Sequence, residues 1–309
     1  MNLNKRIDLN SIPHIPVLYK EVLEAFKSIQ EGYIIDCTTG FAGHSSGLLQ
    51  QNSNIKLICN DQDQEALNFS KNRLKEYENR VIFNQDNFKN IIQKFQDYPI
   101  KGILADIGVS SLQLDKLERG FSFNSQNLDM RMNQNSTKDA AMVVNSYSKI
   151  ELEKIFKEYG EIREYKKVAN LIIENRPFVS AKELAEFLYK KLAKGKIHPA
   201  TLVFQAIRIE VNDELSVLEN LFDSISKANL KNCIVAIISF HSLEDRIVKN
   251  YFKKWSTSCI CPAGVFRCEC GNNHALGKII TKKPIIPSDL EIKQNIRSRS
   301  SKLRLFRFD

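Results

Sequence analysis

The sequence predicts an α/β fold: a doubly wound, mostly parallel sheet interrupted by a helical insertion. Three observations carry this. Short β-rich runs alternate with helical patterns over the first hundred or so residues. Each of these runs ends in or near an aspartate. The rhythm then breaks for about a hundred residues and resumes near the C-terminus. A chain of 309 residues has room for a large interrupted domain or for two domains. Its 43% hydrophobic and 26% charged residues exclude disorder and collagen-like repeats.

Tyr33-Ile34-Ile35-Asp36, Ile55 to Asp61, Val81 to Asp86 and Ile103-Leu104-Ala105-Asp106 read as buried parallel strands. Gln62 to Tyr77 reads as an amphipathic helix with Ala66, Phe69, Leu74 and Tyr77 on one side. Strand and helix in alternation imply right-handed crossovers, with ligands outside the carboxyl ends of the strands, where the aspartates sit.

From Gly108 to about Lys149 the chain is polar and without clear period. Ser148 and Glu151 then form a capping box before Leu152, Ile155, Phe156 and Tyr159. Ser180 and Glu183 repeat it before Leu184, Phe187, Leu188 and Leu192, with Gly195 closing the helix. Val168, Leu171 and Ile172 mark a helix between them that ends before Pro177. Pro199 starts a further helix through Ile207, Val211 and Leu215. Cys233 to Phe240 is a strand and Leu243 to Trp255 a helix, while Lys302 to Phe308 alternates as a half-exposed or edge strand would. The domains expected are 1–113 as the first part of the core, 114–208 as the helical insertion, and 209–309 as the second part with a basic end.

The longest apolar run, Cys233 to Ile238, is too short for a membrane span, and the N-terminus has no secretory h-region. The expectation is a soluble, cytoplasmic chain with no membrane partner and an oligomeric state left open. Net charge is +9, and Lys278 to Asp309 holds nine Lys/Arg against three Asp/Glu. Such an end favours a polyanionic partner, though a solvated lysine-rich face accounts for it as well.

Asp36-Cys37-Thr38-Thr39-Gly40-Phe41-Ala42-Gly43-His44 is a tight strand-to-helix turn whose small residues let backbone approach a ligand. Asp61 can accept both ribose hydroxyls of an adenosine, which fits NAD and S-adenosylmethionine alike. NAD would need a fuller glycine motif at a helix N-terminus to meet its pyrophosphate. Adenosylmethionine has no phosphate and carries a sulfonium, which a carboxylate such as Asp36 welcomes. The acidic strand ends and the short glycine turn therefore favour adenosylmethionine, with an NAD-dependent oxidoreductase as the runner-up. Phe88 is placed to stack on adenine or to serve as plain core. The loop Asp106 to Gln113 lies at the edge where chemistry is expected. His241, after the later strand, reads as a base, a substrate ligand or a helix-start hydrogen-bonder, the last two being favoured.

Eight strings in order resemble the ribosomal RNA small subunit methyltransferase H family. They are His14-Ile15-Pro16-Val17-Leu18, Asp36 to His44, Asp106 to Gln113, and Arg119-Gly120-Phe121-Ser122-Phe123. Leu128-Asp129-Met130-Arg131-Met132, Phe204 to Ile209 with Val211-Asn212, Ser239 to Val248, and Arg297 to Arg304 complete them. The resemblance implies a class I, Rossmann-like S-adenosylmethionine-dependent methyltransferase core with an inserted all-helical domain. It implies methyl transfer to N4 of a decoding-centre cytidine in 16S rRNA; the expected partner is that rRNA within the assembled small ribosomal subunit, with naked rRNA left open as the substrate. It also implies that Ala42, Gly43, His44, Asp61, Phe88, Asp106 and Gln113 contact the cofactor. The family's turn often has Gly where this chain has Ala42, a change a methyl group should satisfy.

A cytosine exocyclic amine is a poor nucleophile, so catalysis needs acceptors that hold its N–H bonds and align it for attack. Many amine methyltransferases use an Asp/Asn-Pro-Pro-aromatic motif there, which this chain lacks. Asp106, Ser110 and Ser111 occupy that edge, although loop serines more often satisfy backbone groups. Phe121 and Phe123 could stack on an extruded base, with packing in the insertion as their more ordinary use. A third reading is a non-enzymatic RNA-binding assembly factor that uses the basic end.

Seven cysteines without an export signal argue against a disulfide framework. Cys37, Cys59 and Cys233 read as buried hydrophobes. Cys259, Cys261, Cys268 and Cys270 offer four ligands for a structural zinc. Paired Cys-x-Cys is less typical than Cys-x-x-Cys, and methyl transfer needs no metal, so free thiols in a surface loop are expected.

Overall fold

The structure, a computed structural model, describes residues 16–192, 198–262, 264 and 266–309, with the backbone alone for Ser111 and Leu112. His14, Ile15 and Gly195 of the sequence motifs lie outside the described residues. The first elements are α1 (Tyr19–Phe26), β1 (Gly32–Asp36), α2 (Gly43–Gln51), β2 (Ile55–Asp61), α3 (Gln64–Arg73), β3 (Val81–Gln85), α4 (Ile91–Lys94) and β4 (Ile100–Asp106). Helices α5 (Ser111–Asp115), α6 (Ala140–Ser146), α7 (Lys149–Glu158), α8 (Tyr165–Glu174), α9 (Ala181–Leu192), α10 (Ala200–Asn212) and α11 (Glu214–Lys227) follow. The chain closes with β5 (Ile234–Ser239), α12 (Ser242–Trp255), β6 (Gly277–Ile279), α13 (Asp289–Gln294) and β7 (Lys302–Phe308).

It divides into two compact units, residues 1–108 with 217–309, and residues 109–216. In the first, the strands form one sheet of order β3-β2-β1-β4-β5-β7-β6. The pairs among β1 to β5 are parallel, and β7 is antiparallel to both β5 and β6. Period-two alternation builds both faces. Ile35, Ile58, Ile103, Val235, Ile237 and Phe306 point to one side, against Ile91, Leu218, Phe222, Phe252 and Trp255. Ile34, Leu57, Leu104, Ala236, Ile238 and Leu305 point to the other, against Leu18, Val22, Phe26, Leu48 and Leu49.

Two expectations for this unit are corrected. Lys302–Phe308 is an interior strand, not an edge. Its polar residues are tolerated there because Asp245 on α12 takes Arg304 at 2.6 and 3.2 Å and Lys302 at 3.4 Å. The edge is β6, whose Gly277 lies so close to β7 that a Cβ would meet the Arg307 carbonyl oxygen at 2.0 Å. In α3, Ala66, Leu67 and Ser70 are the buried positions and Phe69 is exposed. Phe69 packs edge-on against Phe41 instead of facing the sheet.

The second unit is helical around one core of residues including Val143, Val144, Leu152, Phe156, Ile172, Leu184, Leu188, Val203 and Ile207. The capping box of Ser148 and Glu151 starts α7. At α9 the Glu183 N–H donates to Ser180 Oγ at 3.1 Å, but the Glu183 carboxylate takes the Val179 N–H. The helix begun at Pro199 ends at Asn212, because Asp213 adopts a left-handed conformation and Leu215 belongs to α11. The units divide at 108 and 216, against boundaries of 113 and 208 from sequence.

Candidate active site

The aspartates Asp36, Asp61 and Asp106 terminate β1, β2 and β4 of the sheet unit. Parallel pairing of β1 with β2 and β4, in which Asp36 lies opposite Cys59 and Leu104, brings them to one end of the sheet. Asp36 is buried, accepting a 2.6 Å bond from Ser45 Oγ and a 3.3 Å bond from the Thr38 N–H. Asp61 accepts the Gly40 N–H at 2.8 Å on Oδ2 and the Asp63 N–H at 2.9 Å on Oδ1. Two amides thus fix its plane while each oxygen keeps a lone pair for a hydroxyl donor. The backbone of Asp106 is tied to Thr38 Oγ1 at 2.8 Å, but its Oδ1 is shielded from solvent and accepts no hydrogen bond. An Asn60–Asn84 amide pair clamps the same strand ends, with Asn60 Nδ2 donating to the carbonyls of Cys37 and Asp86.

Burial pushes Asp36 and Asp61 up to about 6. Asp106 rises to about 8, through burial first and then repulsion by Asp36 and Glu244. No Lys or Arg pairs with these three carboxylates among the described residues. Buried acids are ordinarily paired; here an orphaned oxygen and mutual repulsion leave the edge complementary to a cationic ligand. The donor set fits an adenosine carrying a positive centre: Asp61 for hydroxyls, Asp36 and Asp106 for charge.

The turn is built as the spacing predicts, with α2 starting at Gly43 after a left-handed, buried Ala42. The alanine methyl is accommodated inside the turn. Gly43 is required by packing, since a Cβ would lie 2.2 Å from Pro16 Cγ. The glycine that faces open space is Gly40, at φ +51°, with only the Thr38 carbonyl oxygen 3.9 Å from a Cβ. His44 is buried, and its Nε2 donates to the Val17 carbonyl at 3.0 Å, with burial lowering its pKa to about 4. Phe88 is half-buried on a short 3₁₀ turn and packs against the sheet core. Sequence reasoning missed the Gly40 amide, the Ser45 hydroxyl and the buried Glu244. A serine inside a helix and a glutamate beside a helix start carry no local signal for these roles. His241 takes the helix-start role, capping α12 in a box with Glu244.

Ser110, Ser111 and Gln113 fall in the helical unit. Ser110 Oγ accepts the Gln113 N–H at 3.3 Å and the Ser110 N–H donates to Gln113 Oε1 at 3.0 Å, a reciprocal cap on α5. Ser111 opens α5, and Gln113 is buried. Phe121 is buried in the helical core, and Phe123 packs edge-on against Phe204. The Arg119 guanidinium reaches the carbonyls of Arg131 and Met132, both at 3.1 Å, so two of the recognised strings fold onto each other.

An open parallel sheet with an inserted antiparallel last strand and an acidic carboxyl edge defines a Rossmann-like nucleoside-cofactor protein. Over residues 11–309 the chain matches the MraW methylase family, and it belongs to that family. It is similar to ribosomal RNA small subunit methyltransferase H of Aliarcobacter butzleri, at 79% identity over 96% of this chain and 99% of that one. The proteins of the same name from Sulfurimonas denitrificans and Campylobacter jejuni are 56% and 55% identical, covering 96% of this chain and 99% and 98% of theirs. Among solved structures, an rRNA methylase from Streptococcus thermophilus aligns over 96% of this chain and 98% of its own at 9% identity, with a TM-score of 0.40. No described helix is long and apolar enough to cross a membrane.

Proposed function

We propose that this chain transfers a methyl group from S-adenosylmethionine to N4 of a decoding-centre cytidine in 16S rRNA, acting in the cytoplasm on the small ribosomal subunit. The observation that carries the cofactor is the unpaired acidic edge, above all the shielded Oδ1 of Asp106. The substrate rests on the family and on the names its relatives bear. A pyrophosphate would be repelled by the same carboxylates, which weighs against an NAD enzyme.

S-adenosylmethionine supplies an activated methyl on a sulfonium. Asp61 would hold ribose hydroxyls, the amides of Ala42 to His44 would line the turn and Phe88 would stack on adenine, while Gln113 is a candidate from the family resemblance alone. Asp106 would accept an N–H bond of the target amine and align its nitrogen, and Ser110 and Ser111 follow it in the sequence motif as further candidate acceptors. Asp106 is the stronger acceptor when ionised, so its raised pKa ties activity to the alkaline side of neutrality.

Labelled methyl transfer to small subunits from cells lacking this gene tests the proposal, with naked rRNA and wild-type subunits alongside. N4-methylcytidine formed only on unmodified subunits is expected. Cofactor binding without label in any of the three RNAs would sink the substrate assignment.

A further inference from the structure

Between α12 and β6 the chain leaves the sheet in an excursion, residues 256–276, that the site above does not use. Its base is zipped by three bonds. The Leu276 N–H donates to the Trp255 carbonyl at 2.7 Å, the His274 N–H to the Ser258 carbonyl at 3.0 Å, and Ser258 Oγ to Asn272 Oδ1 at 2.9 Å. Beyond that base it has no apolar core among the described residues. Ile260 and Phe266 are exposed, and no described residue of the excursion joins a hydrophobic cluster. A segment this small without a core ordinarily needs a cross-link or a metal to hold one conformation.

Four sulfurs converge at its tip. Cys259 and Cys268 Sγ are 3.7 Å apart, Cys268 and Cys270 3.6 Å, Cys259 and Cys270 3.8 Å, and Cys261 and Cys268 4.0 Å. All four lie within 4.8 Å of one another. Ligands about 2.3 Å from one tetrahedral ion lie about 3.8 Å from each other. A disulfide would draw one pair to about 2.05 Å and leave the others apart. A polynuclear iron–sulfur cluster would spread the cysteines around more than one metal.

The backbone is arranged for thiolates as well. The Ile260 N–H donates to Cys270 Sγ and the Glu269 N–H to Cys261 Sγ, each at 3.3 Å, so each Cys-x-Cys turn supports a sulfur of the other. Gly271 and Asn272, at φ +82° and +53°, turn the chain back so that the Asn272 N–H also reaches Cys270.

We propose that Cys259, Cys261, Cys268 and Cys270 bind one Zn²⁺ as a tetrathiolate that fixes the excursion between α12 and β6. Four S–H bonds give way to four Zn–S bonds, the protons leave to solvent, and no oxidant or reductant takes part. With all four positions filled by sulfur the ion is structural, and methyl transfer does not pass through it.

The test uses the full-length chain, untagged, purified without chelator and reconstituted with zinc salt. Elemental analysis should find about one zinc per chain, and cobalt substitution should give the intense visible bands of a tetrahedral thiolate site. Cys268→Ser and Cys259→Ser should each lose the metal while the core keeps its cooperative melting. Trypsin should cut at Arg267 about tenfold faster after zinc is stripped. Zinc below about a tenth of an equivalent, with four freely reactive surface thiols, would overturn the proposal. So would stoichiometric iron, or zinc retained equally by both serine variants.

Discussion

The acidic edge and the cysteine tip both gather like groups that repel or compete, but their surroundings differ. Asp36, Asp61 and Asp106 are gathered by a sheet whose two faces are packed with apolar side chains. The fold supplies their convergence, so the edge can take and release a ligand without losing its shape. The four cysteines sit on a loop with no apolar core among its described residues, held by a few backbone amides, and a bound ion would have to supply the rest of their support. A cluster preorganised by a packed core serves a transient ligand; one held by a few backbone amides suits a permanent ligand.

Changes at the acidic edge should break function and leave the fold. Asp106→Asn should lower methyl transfer about 10³-fold, equivalent to about 4 kcal/mol, in a steady-state assay with small subunits. Asp61→Ala should weaken S-adenosylmethionine binding about 100-fold by calorimetry, with the melting temperature of the free protein nearly unchanged. Stripping metal from the cysteine tip should leave that Kd within about twofold, because the two regions draw on different supports.

Asp106 also sharpens the contrast through pH. Its folded pKa of about 8 lies above the ordinary 3.8, so its protonated form favours folding. That contribution is full below pH 4 and lost as pH rises through about 8. In the ligand-free protein Asp106→Asn should therefore gain stability relative to the parent as pH rises, reaching about 1–3 kcal/mol at pH 8.5 and vanishing near pH 4. Chemical denaturation at both pH values checks this. The smallest effect expected of a substitution is at Gly40: Gly40→Ala should cost about 1 kcal/mol through its left-handed backbone, since the new methyl meets open space.

Much of the sheet was legible because strands buried on both faces leave uninterrupted apolar runs. β2 and β7 have the limits the pattern predicts, and the acidic termini of β1, β2 and β4 follow with them. The position of β7 was not legible, because its interior place depends on Asp245, which is distant in sequence and supplies the countercharge for Arg304 and Lys302. β6 is three residues long, too short for a period. The break at Asp213 needs a left-handed residue with no glycine to announce it. At the candidate site the residue types were legible but their use was not. Gly43 answers to Pro16 and His44 to Val17, contacts that no local pattern encodes. Spacing shows two Cys-x-Cys pairs, but the backbone amides by which each pair reaches a sulfur of the other are contacts that spacing does not encode.

A repelling set of buried carboxylates that receives a cationic cofactor must lose protons as the cofactor binds. Calorimetry of S-adenosylmethionine binding in buffers of different ionisation enthalpy, from pH 6 to pH 8.5, tests it most directly. Binding should release protons at neutral pH, tighten as pH rises through about 6 to 8, and level off above. S-adenosylhomocysteine, which lacks the sulfonium, should release fewer. Proton uptake on binding, or equal release with both ligands, would contradict the account.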